Sequence, residues 1–391
     1  MEERLNNIYQ YVDERKDEMI GLWRELVNYE SYAREKEKVD LLAERLKVEF
    51  EKEGLDCRLV DVGPQSGKTL VGILGAERSG KPVIFSGHMD TVFPTGTFGE
   101  KPFRIEDGKA FGPGVLDMKG GIIISLYVIK ALNSINFNER PIKIVFSGDE
   151  EIGHVNSTGA EVILEEAKDG ICAFNMETGL IDNALCIGRK GRMEPHITVN
   201  GIEAHAGNDF ASGRNAIEEM AHKILEIQKL TDLESGTTVS VSKIKGGTVS
   251  NAIPAQCQVE VDVRFENMAE MERAKQRIGE ICEITHVDGT STEWEVASSM
   301  AAYETTDDVI KFYNFCNEVA KKYGFGEMGS RRLGGSSDAA FITIAKTPVL
   351  CSCGVRGEWN HTAKEYALVD SLFERTKLLS TIVLNLDQFK E

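Results

Sequence analysis

Pro82-Val83-Ile84-Phe85-Ser86-Gly87-His88-Met89-Asp90 is an apolar, β-branched run that ends in a histidine and an aspartate. It reads as a buried strand delivering two polar side chains at its C-terminal end. Gly112-Pro113-Gly114-Val115-Leu116-Asp117-Met118-Lys119-Gly120-Gly121 follows, and the apolar run after it, 122–132, is long enough for a buried helix. His88 and Asp90 therefore sit where a strand ends, and Asp117 where a helix begins. Open α/β sheets bind their ligands at such places. An imidazole beside hard carboxylate oxygens suits a divalent transition metal, with zinc the default.

A second run, Pro141-Ile142-Lys143-Ile144-Val145-Phe146-Ser147-Gly148, carries Asp149-Glu150-Glu151 at its end. Three adjacent carboxylates raise one another's pKa, and an acidic triplet alone reads as a solvated turn. A third strand near Ile171–Phe174 leads to Glu177, which alone would also be an ordinary exposed carboxylate. Three strand ends carrying His-x-Asp, Asp-Glu-Glu and Glu, with Asp117 between them, read as a metal site.

Outward from these stretches, 391 residues exceed one hydrophobic core, so two domains are expected. The hydrophobic fraction of 41% and charged fraction of 28% fit a soluble globular enzyme. A net charge of −18 disfavours nucleic acid and anionic membrane as partners. An anionic substrate would then need positive potential supplied locally by metals, Arg and His. Met1-Glu2-Glu3-Arg4-Leu5 leads into charged amphipathic sequence, so no signal peptide is expected. The eight cysteines lie mostly in apolar runs and read as buried free thiols, consistent with a cytoplasmic protein.

Helical spacing marks an N-terminal segment through Leu5, Ile8, Val12, Met19, Leu22 and Leu26, and a second through Val39, Leu42, Leu46 and Phe50. Strands and helices then alternate up to residue 190, as in an α/β domain. From Gly191 the order becomes βαββαβ, with Val259, Val261 and Val263 facing one way and Glu260, Asp262 and Arg264 the other. This predicts an α/β fold: a catalytic domain with a mixed central sheet flanked by helices, spanning 1–190 and 300–391. A ferredoxin-like lid or dimerisation domain, 191–299, is inserted into it. Ser371 and Glu374 predict a capping box at the start of the last helix.

Taken together, these motifs resemble the di-zinc aminoacylase and carboxypeptidase metallopeptidases, most closely the glutamate carboxypeptidases of the carboxypeptidase G type. The resemblance runs through Gly87–Val92, Gly112–Gly121, Asp149–Gly153 and Met176-Glu177. It continues in Ala204-His205-Ala206-Gly207, Asn251-x-Ile253-Pro254, Asp262-Val263-Arg264 and His361. It implies His88, Asp117 and Glu177 on one zinc, and Asp117, Glu151 and His361 on the other, with cobalt or manganese as substitutes. It further implies Glu150 as general base and Asp90 as hydrogen-bond acceptor for the second ring nitrogen of His88. His205 would be an oxyanion donor from the inserted domain, reaching in after closure or from a partner subunit. Asn251, Arg264 and the loop at Gly335 would hold the substrate's carboxylate. A cis bond between Asp117 and Met118 is implied as well. His154 departs from the pattern and reads as a solvated loop histidine. The implied substrate is a small peptide or N-acyl amino acid, cleaved by a homodimer. The alternatives are an N-acyl-amino-acid deacylase, a tripeptide aminopeptidase and a non-catalytic binding protein.

Overall fold

The computed structural model describes residues 1–389, which divide into two compact units. The first comprises 1–188, 305–332 and 337 onward; the second comprises 189–304 and 333–336.

The first unit is built on a six-stranded sheet. Its spatial order is Asp56–Val60, Gly67–Leu74, Ile142–Gly148, Val83–His88, Cys172–Asn175 and Val349–Leu350. The first two junctions are antiparallel and the remaining three parallel, so the sheet is mixed. The parallel strands are apolar on both faces because helices cover both. Phe85 and Phe174, stacked with centroids 5.5 Å apart, are fully buried. Each such side chain contributes about 1.5–3 kcal/mol by leaving water.

Helix Gly120–Ser134 is buried on nearly every side. It packs against helices Val369–Leu384, Glu2–Asp13 and Lys16–Asn28, which explains an apolar run with no polar face. It can start where it does only because residue 121 is glycine. A Cβ there would lie 2.0 Å from the Met176 carbonyl oxygen, next to Glu177.

Register sets the level of the strand ends. His88 lies opposite Ser147 and Ser86 opposite Asn175, so Glu177 comes level with His88, and Asp149 emerges two residues beyond. A second sheet of five short strands includes Gly179–Leu180, Arg356–Glu358 and Tyr366–Leu368. It holds the chain just after Glu177 and carries the loop with His361. These two- and three-residue strands are too short to show a period, so the sequence does not announce them.

The second unit is a four-stranded antiparallel sheet in the order Thr238–Gly246, Gln256–Phe265, Gly191–Asn200, Ser291–Met300. With helices Ala216–Gln228 and Met268–Glu283 the chain order is βαββαβ. Ile197, Val199, Val259, Val261, Val263, Phe265 and Ile278 share its core. Asn215 and Asn267 cap the two helices, accepting N–H groups of the first turns.

One expected detail is corrected. The last helix begins at Val369, so Ser371 lies inside it rather than at its cap. Ser371 Oγ donates to the Leu368 carbonyl at 2.6 Å and accepts the Arg356 N–H at 2.9 Å. Strand Tyr366–Leu368 runs directly into the helix, leaving no turn for a capping box. Among the described residues, no helix is long and apolar enough to cross a membrane.

Candidate metal centre

The strand ends of the first unit gather two groups of potential ligands. His88, Asp117 and Glu177 form one; Asp117, Glu151 and His361 form the other. Within each, the nearest donor atoms lie within 4.8 Å of one another. His88 Nε2 is 3.1 Å from Asp117 Oδ1 and 3.6 Å from Glu177 Oε1. His361 Nε2 is 3.2 Å from both Asp117 Oδ2 and Glu151 Oε2. Asp117 thus turns one oxygen to each group.

These residues fit two divalent cations. Oε1 of Glu151 is buried with no hydrogen-bond donor, a costly state that a cation would relieve. The ligand types are the nitrogen and oxygen donors of zinc-type sites. The field has the right sign, since Asp117 and Glu151 lift the His361 imidazole to about 11. A field that holds a proton there holds a cation in its place. Burial opposes ionisation of Asp117, yet His361 and His88 keep its carboxyl well below the usual carboxylate range.

Glu150 stands beside this cluster without belonging to either ligand group. Burial pushes its carboxyl well above the usual range; His88 works against the shift, while Glu177 and Glu151 add to it. A carboxyl raised toward neutrality can both take and return a proton.

Two supports emerge at Asp90 and Asp117. The Asp90 carboxylate accepts the N–H groups of Glu150 at 3.3 Å and Glu151 at 2.9 Å. His88 Nδ1 lies 3.0 Å from the Asp90 carbonyl oxygen, with Oδ1 at 3.5 Å. The Asp90 carboxylate thus stands beside the His88 ring while also receiving the N–H groups of the short helical turn at Glu150–Ile152. The Asp117–Met118 peptide is cis, as the resemblance implied.

A model of peptidase family M20/M25/M40 matches residues 84–385. The chain belongs to this family. Carboxypeptidase G2 of Pseudomonas sp. (strain RS-16) is similar at 28% identity over 391 residues, covering 98% of this chain and 93% of the relative. Succinyl-diaminopimelate desuccinylase of Ehrlichia canis (strain Jake) is 27% identical, covering 93% of this chain and 97% of the relative. Aminopeptidase PepT from Bacillus cereus shares the fold, with a TM-score of 0.79 at 22% identity over 95% of this chain and 99% of that one. This M20 chain is accordingly a metal-dependent peptidase or deacylase, as its sequence motifs indicated.

Three further groups in this M20 chain escaped the sequence reading. Asn360 Nδ2 donates to Asp117 Oδ2 at 3.2 Å. Glu365 Oε1 accepts the N–H groups of Leu116 at 2.9 Å and Asp117 at 3.3 Å, pinning the backbone that carries the shared ligand. Burial, with Asp117 adding to it, pushes Glu365 up to about 8. His154 is not solvated. It is buried, with Nδ1 2.8 Å from Asp149 Oδ1 and Nε2 2.7 Å from Asp338 Oδ1. Asp338 Oδ2 also accepts Ser147 Oγ at 2.7 Å. Although burial opposes it, Asp338 and Asp149 hold the imidazole well above its ordinary value. The His154 pair thus closes the loop bearing Glu150 and Glu151. A positive φ of 52° at His154 and an αL Gly153 shape that loop, and neither is visible in composition.

In the second unit, strand Ala204–His205 pairs with Ala252–Ile253, and the Ala206 N–H reaches the Asn251 carbonyl at 2.9 Å. His205 and Asn251 therefore come together. His205 Nδ1 accepts the N–H groups of Gly207 and Asn208, each at 3.1 Å. In the neutral ring the proton is then on Nε2, a free donor. Arg264 is elsewhere, eight residues along the strand from Gln256 or about 25 Å at strand rise. Its Nε and Nη2 clasp Asp262 at 2.9 and 3.1 Å. The Gly335 carbonyl accepts Arg189 Nη1 at 3.4 Å, which places Gly335 at the Arg264 end of this unit.

Proposed function

We propose that this M20 enzyme removes a C-terminal amino acid of the glutamate type from a small peptide or N-acyl amino acid. The observation that carries the hydrolytic step is Asp117 shared between two three-residue ligand groups, with the raised carboxyl of Glu150 beside them. Similarity to carboxypeptidase G2 over nearly the whole chain supports the carboxypeptidase specificity.

Two zinc ions, or cobalt or manganese, would be held by His88, Asp117 and Glu177 and by Asp117, Glu151 and His361, supplying carbonyl polarisation and an acidified water. Glu150 takes the water's proton and returns it to the leaving nitrogen, without which an amine does not depart. Asp90 positions Glu150 and Glu151 through their N–H groups. His205 Nε2–H stabilises the oxyanion. Arg264, Gly335 and Asn251 bind the substrate's carboxylate, the Arg after exchanging its Asp262 partner for the substrate. The separation of His205 and Asn251 from Arg264 within one unit favours a homodimer, in which one copy's His205 and Asn251 serve its partner's site. A cytoplasmic setting accords with cysteines that form no disulfide among the described residues.

A deacylase acting on N-acyl amino acids is the second reading, favoured by the similarity to succinyl-diaminopimelate desuccinylase. Turnover of paired substrates tests the two: N-acyl glutamates, peptides ending in glutamate, and N-succinyl or N-acetyl diamino acids, each with zinc, cobalt and manganese. Highest kcat/KM on C-terminal glutamates supports the carboxypeptidase. Preference for acylated diamino acids supports the deacylase, and turnover of none of them overturns both.

A further inference from the structure

Outside the metal centre, the first unit contains a cavity of about 390 Å³ whose walls include Asn183, Phe325, Arg356, Glu374, Arg375 and Leu378. Arg375 is 2% exposed, and its Nε, Nη1 and Nη2 are all buried without a hydrogen-bond partner. A guanidinium offers five donors and stays charged at neutral pH. Burying it with none satisfied is among the most unfavourable arrangements a core can hold. Burial pushes it down only to about 10, with the Arg356 charge acting the same way, so it remains a cation.

The nearby carboxylate does not neutralise it. Glu374 precedes Arg375 on the same helix, and adjacent helical residues do not face each other. Its Oε2 is engaged by Arg356 Nη2 at 2.6 Å. The lining residues thus include two arginines against one carboxylate, together with Asn183, and the Arg375 guanidinium lies enclosed within the wall. We propose that this cavity is a binding site for a small oxyanion, a carboxylate or phosphate group, held by the fork of Arg375 and assisted by Arg356 and Asn183. A planar pair of acceptor oxygens satisfies two of the orphaned donors at once. The apolar wall of Phe325 and Leu378 leaves room for a short hydrocarbon body behind a carboxylate.

The test uses the full-length, metal-loaded protein, its Arg375→Met variant and its Arg356→Gln variant. Binding of inorganic phosphate and of propionate is measured by titration calorimetry, with chloride as a third arm. Any anion that binds the metal centre does so in all three proteins, so the readout is the difference between them. The expected result is one saturable site in the native protein that Arg375→Met removes and Arg356→Gln weakens about tenfold, the scale of losing one charged contact. Phosphate stronger than propionate identifies a phosphate site, and the reverse a carboxylate site.

Thermal midpoints give an independent check. Without added anion, Arg375→Met should match or exceed the native protein, because an apolar side chain replaces an unpaired charge. Saturating phosphate or propionate should then raise the native midpoint more than the variant's. Native and variant proteins that bind identically, or midpoints that shift in parallel, overturn the proposal. Should Arg375→Met fail to fold, the absence of an Arg356-dependent site in the native protein overturns it equally. Selective binding of chloride alone would also overturn it, since a spherical ion gains nothing from the fork.

Discussion

The metal centre of the first unit and one face of the second unit's sheet each bring a histidine and carboxylates within ligand distance, and they differ in what surrounds them. In the first unit Asp117 and Glu151 are shielded from water and meet imidazoles and a carboxamide. In the second unit Glu194, His196 and Glu260 also place donor atoms within 4.8 Å of one another. There the side chains are half-exposed, Glu194 is paired with Arg192, and Glu260 meets Lys243 at 2.6 Å. Proximity of ligands is common to both. What separates them is negative charge in a buried setting, where the carboxylates meet imidazoles and a carboxamide and not the lysine and arginine side chains that hold Glu194 and Glu260. The sheet face has already spent its charges on lysine and arginine, whose exposed pairs are individually weak.

The largest expected effect comes from breaking the first cluster and leaving the second. Asp117→Asn should strip metal from both ligand groups and abolish turnover, while His196→Gln should leave metal content and turnover unchanged. Elemental analysis of dialysed protein decides it. A loss of metal in the His196 variant would make the sheet face a true metal site and erase the distinction.

Glu150→Gln should keep the metal and lose about 10²–10⁴-fold in kcat, the usual contribution of a general acid–base group. If metal content falls with activity, Glu150 is a ligand. His205→Ala should lower kcat by about 10²–10³-fold, the scale of one oxyanion donor, with metal intact. Mixing it with Glu150→Gln protein should restore partial activity if His205 serves the partner's site; mixtures as inactive as their components would place it in its own.

His154→Gln sharpens the comparison from the stability side, because His154 is a buried cation that the chain itself supplies. Removing one partner of a buried pair costs about 3–5 kcal/mol. Its folded value is raised, so its stabilisation is complete below the unfolded value of about 6.5 and is lost as pH rises through the raised one. The difference between native and variant unfolding in urea should therefore be larger at pH 6 than at strongly alkaline pH. A pH-independent difference would show that the ring acts by packing alone.

The division between what the sequence disclosed and what it did not follows the range of the interactions. Strand ends carrying His88, Glu151 and Glu177 were legible because each polar residue directly follows its own apolar run. His154 was misread because its partner Asp338 lies 184 positions away. Glu365 was missed because it acts through backbone N–H groups 249 and 248 positions away. Nothing in local spacing reports such contacts. Arg375 hid for another reason: an arginine within a helix reads as a surface residue, and only the packing shows it enclosed.

All eight cysteines are buried, and among the described residues none forms a disulfide. A thiol reagent in solution can reach them only when the structure opens, so the rate of labelling becomes a clock for local unfolding. Cys257 and Cys282 keep time for the second unit, and the other six for the first. Mass spectrometry of labelled peptides at low denaturant would rank the two units by how often each opens. If Cys257 and Cys282 react in step with Cys172 and Cys316, the two units open as one.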